Sequence, residues 1–497
     1  MILSSRVYEV AQETPLQYAT TLSTKLKNSI YLKREDLQPV FSFKIRGAYN
    51  KISHLTEKQR EKGIVCCSAG NHAQGVALAS TKLKVKAKIV MPISTPSIKV
   101  DAVRHHGGDF SEIILYGDNF DEAQAEARRL ESEEGYTMIA PFDDPLVIAG
   151  QGTCGLEILK QSMGKDIDAI FICCGGGGLL AGIAAIIKRI RPEIKVIGVE
   201  AADAPGMTQS LLAGRVVSLP TVGLFADGAA VKTIGRETFR LCSQFVDDMI
   251  IVSTDEICAA IKDGFNDTRI VLEPAGALAI AGVKRYISKN GIVGKSFVAT
   301  ASGANMDFDR MRFVADRADN RETLISVKIP EVPGSFRQLY EQIFPRNVTE
   351  FSYRYQESSF AHIFLSFHAK NAEDASKVLD KLREKEYEVI ELSDNEMAKV
   401  HARHLAGGRS PNVKNEVLYR FEFPEKPGAL NLFLQKISSS WNVSLFHYRN
   451  HGADVGRVLV GLQIPPEEQQ KFDHFLQVLG YTYFDETDNP VYTRFLL

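Results

Sequence analysis

Net charge is almost absent: 59 Lys and Arg stand against 61 Asp and Glu, leaving −2 at pH 7. So neutral a chain has no global attraction for nucleic acid or for an anionic membrane surface, and no basic stripe or aromatic reading motif supplies a local one. No apolar run reaches ~18 residues, so no membrane span is expected. The stretch MILSSRVYEVAQETPLQY has neither a basic region followed by an apolar core nor a small-residue cleavage site, which makes a cytoplasmic location the expectation. Disulfides are equally unsupported. The seven cysteines (66, 67, 154, 173, 174, 242 and 258) are odd in number, have apolar neighbours and all fall at or before residue 258. No CxxC spacing offers a metal site, and the adjacent pairs Cys66-Cys67 and Cys173-Cys174 put neighbours on opposite faces of a strand, as core packing requires.

What is present is ordinary in kind and large in amount. The 497 residues are 44% hydrophobic and 24% charged, typical of globular proteins. At ~150 residues per domain about three domains follow. From about 25 to 310, short β-rich runs alternate with helical patterns: IVCC (64–67), AKIVM (87–91), IILY (113–116), AIFICC (169–174), VIGVE (196–200), MIIV (249–252) and FVATA (297–301). That rhythm implies crossover helices and a parallel sheet. Thr56 with Gln59, closed by Gly63, and Ser253 with Glu256 read as capping boxes at helix starts.

Beyond about 320 the texture changes. IPEVPGSFRQLYEQIF (329–344) is echoed by FPEKPGALNLFLQKIS (423–438) at an offset of 94, and NVTEFSYR (347–354) by NVSLFHYR (442–449) at 95. This is an internal duplication. Each copy reads strand, helix, strand, strand, helix, strand, a ferredoxin-like α+β pattern, and the polar link LAGGRSPNVKNE (405–416) joins them.

Four motifs can carry chemistry. In SFKIRGA (42–48), Lys44 lies between Phe43 and Ile45 at a helix start; apolar neighbours desolvate the amine, lower its pKa and make it a Schiff-base nucleophile rather than a solvated surface lysine. In CCSAGNHAQG (66–75) a buried strand turns into a helix whose N-terminal N–H groups, with Ser68 and Asn71, suit a carboxylate; alternatively it is an ordinary turn capped by His72. In CCGGGGLLAGIAAIIKRI (173–190) four glycines let the backbone approach a phosphate at a helix N-terminus. A dinucleotide fingerprint would come after the first strand, and a nucleoside-triphosphate loop would need Gly-Lys-Ser/Thr; neither is found. TASGAN (300–305) follows the last strand and offers Ser302 as a single hydrogen-bonding group.

In their order and spacing, SFKIRGA, SAGNHAQG, the glycine loop, EPAGALAIAG (273–282) and SGAN resemble the fold type II pyridoxal-phosphate enzymes, the tryptophan-synthase-β-like group. Within it, KREDLQPVFSFKIRGAYNK (33–51), LPTVGLFADGAAVKTIGRETFRLC (219–242) and both repeats are most similar to the threonine dehydratase family. The resemblance implies a twisted parallel-sheet catalytic domain in two lobes (1–318) and two ACT-like regulatory subdomains (323–394 and 417–489). It implies pyridoxal 5'-phosphate joined to Lys44, with Phe43 beside the ring, Asn71 on the 3'-oxygen, Gly175, Gly176, Gly177, Gly178 and Leu179 at the phosphate, and Ser302 facing the pyridine nitrogen. Ser68, Gly70, Asn71 and His72 would hold the substrate carboxylate.

The implied reaction turns L-threonine into 2-oxobutanoate and ammonia, with L-serine as a side substrate. Lys44, once released from the cofactor, is the natural base for the Cα proton. The resemblance further implies a homotetramer, isoleucine as inhibitor and valine as opposing effector, with Gly334, Asn347, Gly428 and Asn442 as effector contacts. Glu200 and Asp203 invite comparison with relatives that place a cation there, but two carboxylates are too few, a solvated loop is the simpler reading, and no metal is expected. A serine dehydratase or racemase on the same fold is the rival enzyme, disfavoured by the repeats. A non-catalytic amino-acid sensor is the rival of another class, disfavoured by a retained Lys44 and an uninterrupted glycine loop.

Overall fold

Each of the seven β-rich runs forms a parallel strand within two residues of its expected limits. The computed structural model describes residues 1–318, 322–330, 335–346, 348–353, 360–401, 413–424, 432–433, 436–437, 440–449 and 455–496. Two units are distinguished, Met1–Ala318 and Asp319–Leu497. In the first, the strands are β1 (Leu16–Tyr18), β2 (Ser29–Arg34), β3 (Ile64–Cys67), β4 (Ala87–Met91), β5 (Ser111–Leu115), β6 (Thr137–Met138), β7 (Ala169–Cys173), β8 (Lys195–Ala201), β9 (Asp248–Val252) and β10 (Ser296–Ala301).

They build two sheets, hence two lobes. The smaller has the order β5-β4-β3-β6, all parallel; the larger has β1-β2-β10-β7-β8-β9, with only β1 antiparallel. Sequence patterning missed β1, β2 and β6. The central strands are buried along their length, as expected of parallel strands covered by helices on both faces. The adjacent thiols divide as the pleat requires, Cys66 into one apolar cluster and Cys67 into another. All seven cysteines are free and buried. Both capping boxes form.

The helix Lys44–Ser53 packs on the helix Asn71–Leu83 where Gly75 has no side chain: a Cβ there would lie 3.2 Å from the backbone of Lys44 and Ile45. Behind this helix lies a buried ionic cluster. Arg46 meets Glu35 at 2.7 Å and Glu157 at 2.5 Å, Lys33 meets Glu157 at 2.6 Å, and all four side chains are at most 1% exposed. Thr14 and Tyr8 donate hydroxyls to Glu35 and Glu157. Every charge in the cluster has an opposite neighbour, the condition under which burial of ions is tolerated.

The second unit realises the duplication. Strands β11 (Glu322–Pro330), β12 (Val348–Tyr353), β13 (Phe360–His368) and β14 (Glu388–Glu391) form an antiparallel sheet in the order β12-β13-β11-β14. Strands β15 (Glu416–Pro424), β16 (Asn442–Arg449), β17 (Val455–Gln463) and β18 (Thr482–Asp485) repeat it as β16-β17-β15-β18. Both copies carry a register shift at the matching place, between Val348 and Glu350 and between Val443 and Leu445. A shared apolar layer is built from matching residues of the two copies: Leu324 and Leu418, Met397 and Val491, Ala398 and Tyr492. Between them Asn395 Nδ2 donates to Asn489 Oδ1 at 3.3 Å, again a matched pair. Among the described residues no helix is long and apolar enough to cross a membrane.

Candidate active site

The motifs converge because strand ends are neighbours in a parallel sheet. β10 lies between β2 and β7, so SGAN at its C-terminal end comes beside the glycine loop that follows β7. The backbone then stitches three motifs together. Phe43 N donates to Ser302 O at 3.2 Å, Ser302 N to Gly276 O at 3.3 Å, Glu273 N to Gly303 O at 3.2 Å, and Ser42 bridges Gly303. Lys44 is thereby held next to Ser302 before any side chain is considered.

Lys44 begins its helix half-buried, its Nζ donating to Pro141 O at 2.9 Å and lying 5.4 Å from the centre of the Phe43 ring. Burial pulls its pKa down to about 8, against the opposing pull of Cys173 and Glu273. An amine at that value is neutral in roughly a fifth of molecules near physiological pH, far more than an ordinary lysine, and the neutral form is what a nucleophile requires. The neighbouring Phe142 packs against the glycine loop, where a Cβ on Gly176 would strike its ring at 2.2 Å. Gly177 is the N-cap of the helix Gly178–Ile190 at φ 93°, a left-handed conformation that disfavours any side chain. Thr238 Oγ1 fixes the loop by donating to Gly176 O at 2.7 Å. This helix start, with Leu179 on its first turn and no side-chain cap, presents N–H groups of the kind that bind anions.

Asn71 opens the helix after β3, with Gly70 as N-cap and the Ser68 hydroxyl accepting from Gly70 N at 3.3 Å. His72 is not a helix cap: its ring is buried, with Nε2 hydrogen-bonded to Ile139 O at 2.8 Å. Burial, reinforced by Lys44, holds its pKa down to about 3, so the ring is neutral. Ser302 Oγ donates to Ala275 O at 3.3 Å.

Three residues without an assigned role prove central. Glu273 is buried and accepts from Asn71 Nδ2 at 2.6 Å; burial and the nearby Asp227 push its carboxyl up to about 7. Asn305 donates to Asn71 Oδ1 at 2.5 Å. Asp227 pairs with Lys99 at 2.7 Å and Arg310 at 3.4 Å, and those cations hold its carboxyl below the usual range although burial acts the other way. All three lie within motifs of the sequence analysis, and Glu273 carries a positional signal as the N-cap residue of the helix Pro274–Asn290, whereas Asn305 lies in the loop after β10 with no such signal.

One reading needs correction. Glu200 is not on a solvated loop: it is fully buried near the end of β8, where its carboxylate accepts from Met207 N at 2.7 Å and from Thr208 N at 2.9 Å. It binds the N-terminus of the helix Gly206–Ala213, which compensates its charge. Of the effector candidates, Gly334, Asn347 and Gly428 lie outside the described residues, and Asn442 begins β16 opposite Gln463.

A lysine amine of lowered pKa, an anion-binding helix start, an amide N–H and a hydroxyl are the donor set pyridoxal phosphate requires, and they fit it. The chain matches the family described as pyridoxal-phosphate dependent enzyme over residues 7–303, and the C-terminal regulatory domain of threonine dehydratase over 315–402 and again over 407–496. It is 52% identical to the biosynthetic L-threonine dehydratase of Burkholderia multivorans, an alignment covering 100% of this chain and 98% of that one. The chain belongs to the threonine dehydratase family. Another threonine dehydratase, the mitochondrial protein of Saccharomyces cerevisiae, is 51% identical over 100% of this chain and 88% of its own. Among solved structures, the processed form of threonine deaminase isoform 2 from Solanum lycopersicum superposes with a TM-score of 0.62 at 52% identity, covering 64% of this chain and 86% of that chain.

Proposed function

We propose that this threonine dehydratase family member converts L-threonine to 2-oxobutanoate and ammonia, the water lost in dehydration being regained on hydrolysis, with L-serine as a side substrate, under control of its C-terminal unit. The reading is carried by Lys44, whose amine is drawn down to about 8 and held beside both Ser302 and the glycine loop. Bound pyridoxal 5'-phosphate supplies the electron sink that acidifies the substrate Cα–H.

The chain supplies the rest. Lys44 Nζ holds the cofactor and, when freed, takes the Cα proton. Gly175 to Leu179 hold the phosphate group and Phe43 packs beside the ring. Asn71 donates to the 3'-oxygen, while Ser302, a neutral hydroxyl, faces the ring nitrogen and leaves it largely unprotonated, favouring elimination over transamination. N–H groups of Gly70, Asn71 and His72, with the Ser68 hydroxyl, orient the substrate carboxylate. Loss of the β-hydroxyl with a proton and addition of water to the resulting imine balance the overall change, threonine to 2-oxobutanoate plus ammonia.

We infer domain limits of 1–318, 323–394 and 417–489, a homotetramer in the cytoplasm, and isoleucine as inhibitor opposed by valine. The duplicated second unit supports regulation by amino acids, which needs only ~1–3 kcal/mol of coupling. The test is 2-oxo-acid production from threonine by wild type and Lys44→Ala, with isoleucine in parallel. Wild-type activity that falls about 10²–10⁴-fold in Lys44→Ala and is inhibited by isoleucine is expected. A wild type inert with supplied cofactor would leave the amino-acid sensor as the better reading; activity indifferent to isoleucine would remove only the regulatory assignment.

A further inference from the structure

Two motif residues with no part in the chemistry above meet on Asn71. Its Oδ1 accepts from Asn305 Nδ2 at 2.5 Å, and its Nδ2 donates to Glu273 Oε1 at 2.6 Å. Asn305 is anchored in turn, its Nδ2 also donating to Val40 O at 2.9 Å. An amide nitrogen has only hydrogens to offer and an ionised carboxylate only lone pairs, so the network decides which end of Asn71 is which. Turned over, Asn71 would set oxygen against carboxylate and NH2 against NH2, losing both bonds. With Glu273 served, one N–H of Asn71 remains.

We propose that Glu273 and Asn305 are positioning residues that lock the Asn71 amide so that its remaining N–H faces the 3'-oxygen of the bound cofactor. The inference rests on the assignment of Asn71 made above. It explains why an acidic side chain is buried beside a site built for anions: the carboxylate there is needed as an acceptor.

The lock is sensitive to pH. Burial, with Asp227, pushes the Glu273 carboxyl up to about 7, while Asn71, Lys99 and Arg310 act in the opposite sense; Lys44 and the Cys173 thiol also face it. Above that value Glu273 is acceptor only and the order is unique. Below it the carboxyl gains a proton, becomes able to donate, and no longer discriminates between the two ends of Asn71.

The test uses the holoenzyme. The ratio of visible to near-ultraviolet absorbance of the bound cofactor, which reports the state of its 3'-oxygen, is followed from about pH 6 to about pH 9 around the expected midpoint. Wild type, Asn71→Ala, Asn305→Ala and Glu273→Gln are compared, with cofactor dissociation constant and melting temperature measured on each. The wild-type ratio is expected to change with a midpoint near 7 and to be flat in Glu273→Gln. Asn305→Ala is expected to shift the ratio in the same direction as Asn71→Ala and to weaken cofactor binding about ten-fold. A changed spectrum in Asn71→Ala with wild-type spectra in Glu273→Gln and Asn305→Ala keeps Asn71 and overturns the lock. A wild-type spectrum in Asn71→Ala removes the assignment of Asn71 and the lock with it. If Asn305→Ala does not fold, the isosteric Glu273→Gln decides alone.

Discussion

The catalytic unit buries charge, whereas the second repeat of the regulatory unit buries aromatic rings. Behind the Lys44 helix, Arg46, Glu35, Glu157 and Lys33 are all but inaccessible to water. The core of the second repeat instead combines aliphatic residues with a cluster of rings, Tyr419, Phe421, Phe423, Phe433, Trp441, Phe472 and Phe475, packed largely edge to face. Ion pairs in a dry interior are directional and fail if one member is lost, while apolar packing tolerates change as long as volume and pattern survive. The first repeat makes that point within the same unit: it has the same topology, and among its described buried residues the core is mainly aliphatic, with Phe367 the aromatic one. The catalytic unit is thus specified by particular residues and the regulatory unit by a pattern.

The sharpest way to break this comparison is Arg46→Met. Glu35 and part of Glu157 would be left as buried charges without their partner, a loss of about 3–5 kcal/mol. The chain provides separate reporters: its single tryptophan, Trp441, belongs to the second repeat, whereas the cofactor's visible band belongs to the catalytic site. Denaturation followed at the cofactor band is expected to move to lower denaturant while the Trp441 transition stays in place. A variant as stable as wild type at both signals would show that the cluster is not held together by its charges.

Smaller, and aimed at the other unit, are Leu324→Ala and Leu418→Ala, matched positions in the layer between the repeats. Each is expected to cost about 2–5 kcal/mol in the Trp441 transition. If the duplication governs packing as it governs topology, the two losses are similar. A loss confined to Leu418→Ala would mean that the first repeat is not folded cooperatively with the second.

This contrast also accounts for what the sequence made legible. Parallel strands, Lys44 and the glycine loop announce themselves because each needs an uncommon local composition: a continuous apolar run, a lysine among hydrophobic neighbours, four glycines. The duplication is equally plain, since its offsets of 94 and 95 recur in the register shifts after Val348 and Val443. What escaped is long-range and polar. Nothing local joins Glu273 to Asn71 or Arg46 to Glu157, residues more than a hundred positions apart. Glu200 was misread for the same reason: a carboxylate at the end of a strand looks solvated until the helix it binds is in view. The short β1 and β6 carry too little pattern to stand out, and β2, SIYLKR, ends in charged residues that only a buried ionic cluster accommodates.

The most modest of these effects concerns the amine of Lys44, on which the proposed chemistry depends. In the free protein Lys44 titrates near 8, with burial as the main cause. Only the neutral amine attacks the cofactor aldehyde, so the rate of cofactor uptake is expected to rise about ten-fold between pH 7 and pH 9 and then level off. An ordinary lysine would gain about a hundred-fold over the same interval and keep climbing. A rate still increasing ten-fold per pH unit above 9 would place Lys44 among exposed lysines and remove the observation on which the proposed chemistry rests. Glu273 gives the sign an independent check. Its negative charge favours the ammonium form and raises the Lys44 value, so Glu273→Gln should move the midpoint downward, bringing the plateau to lower pH.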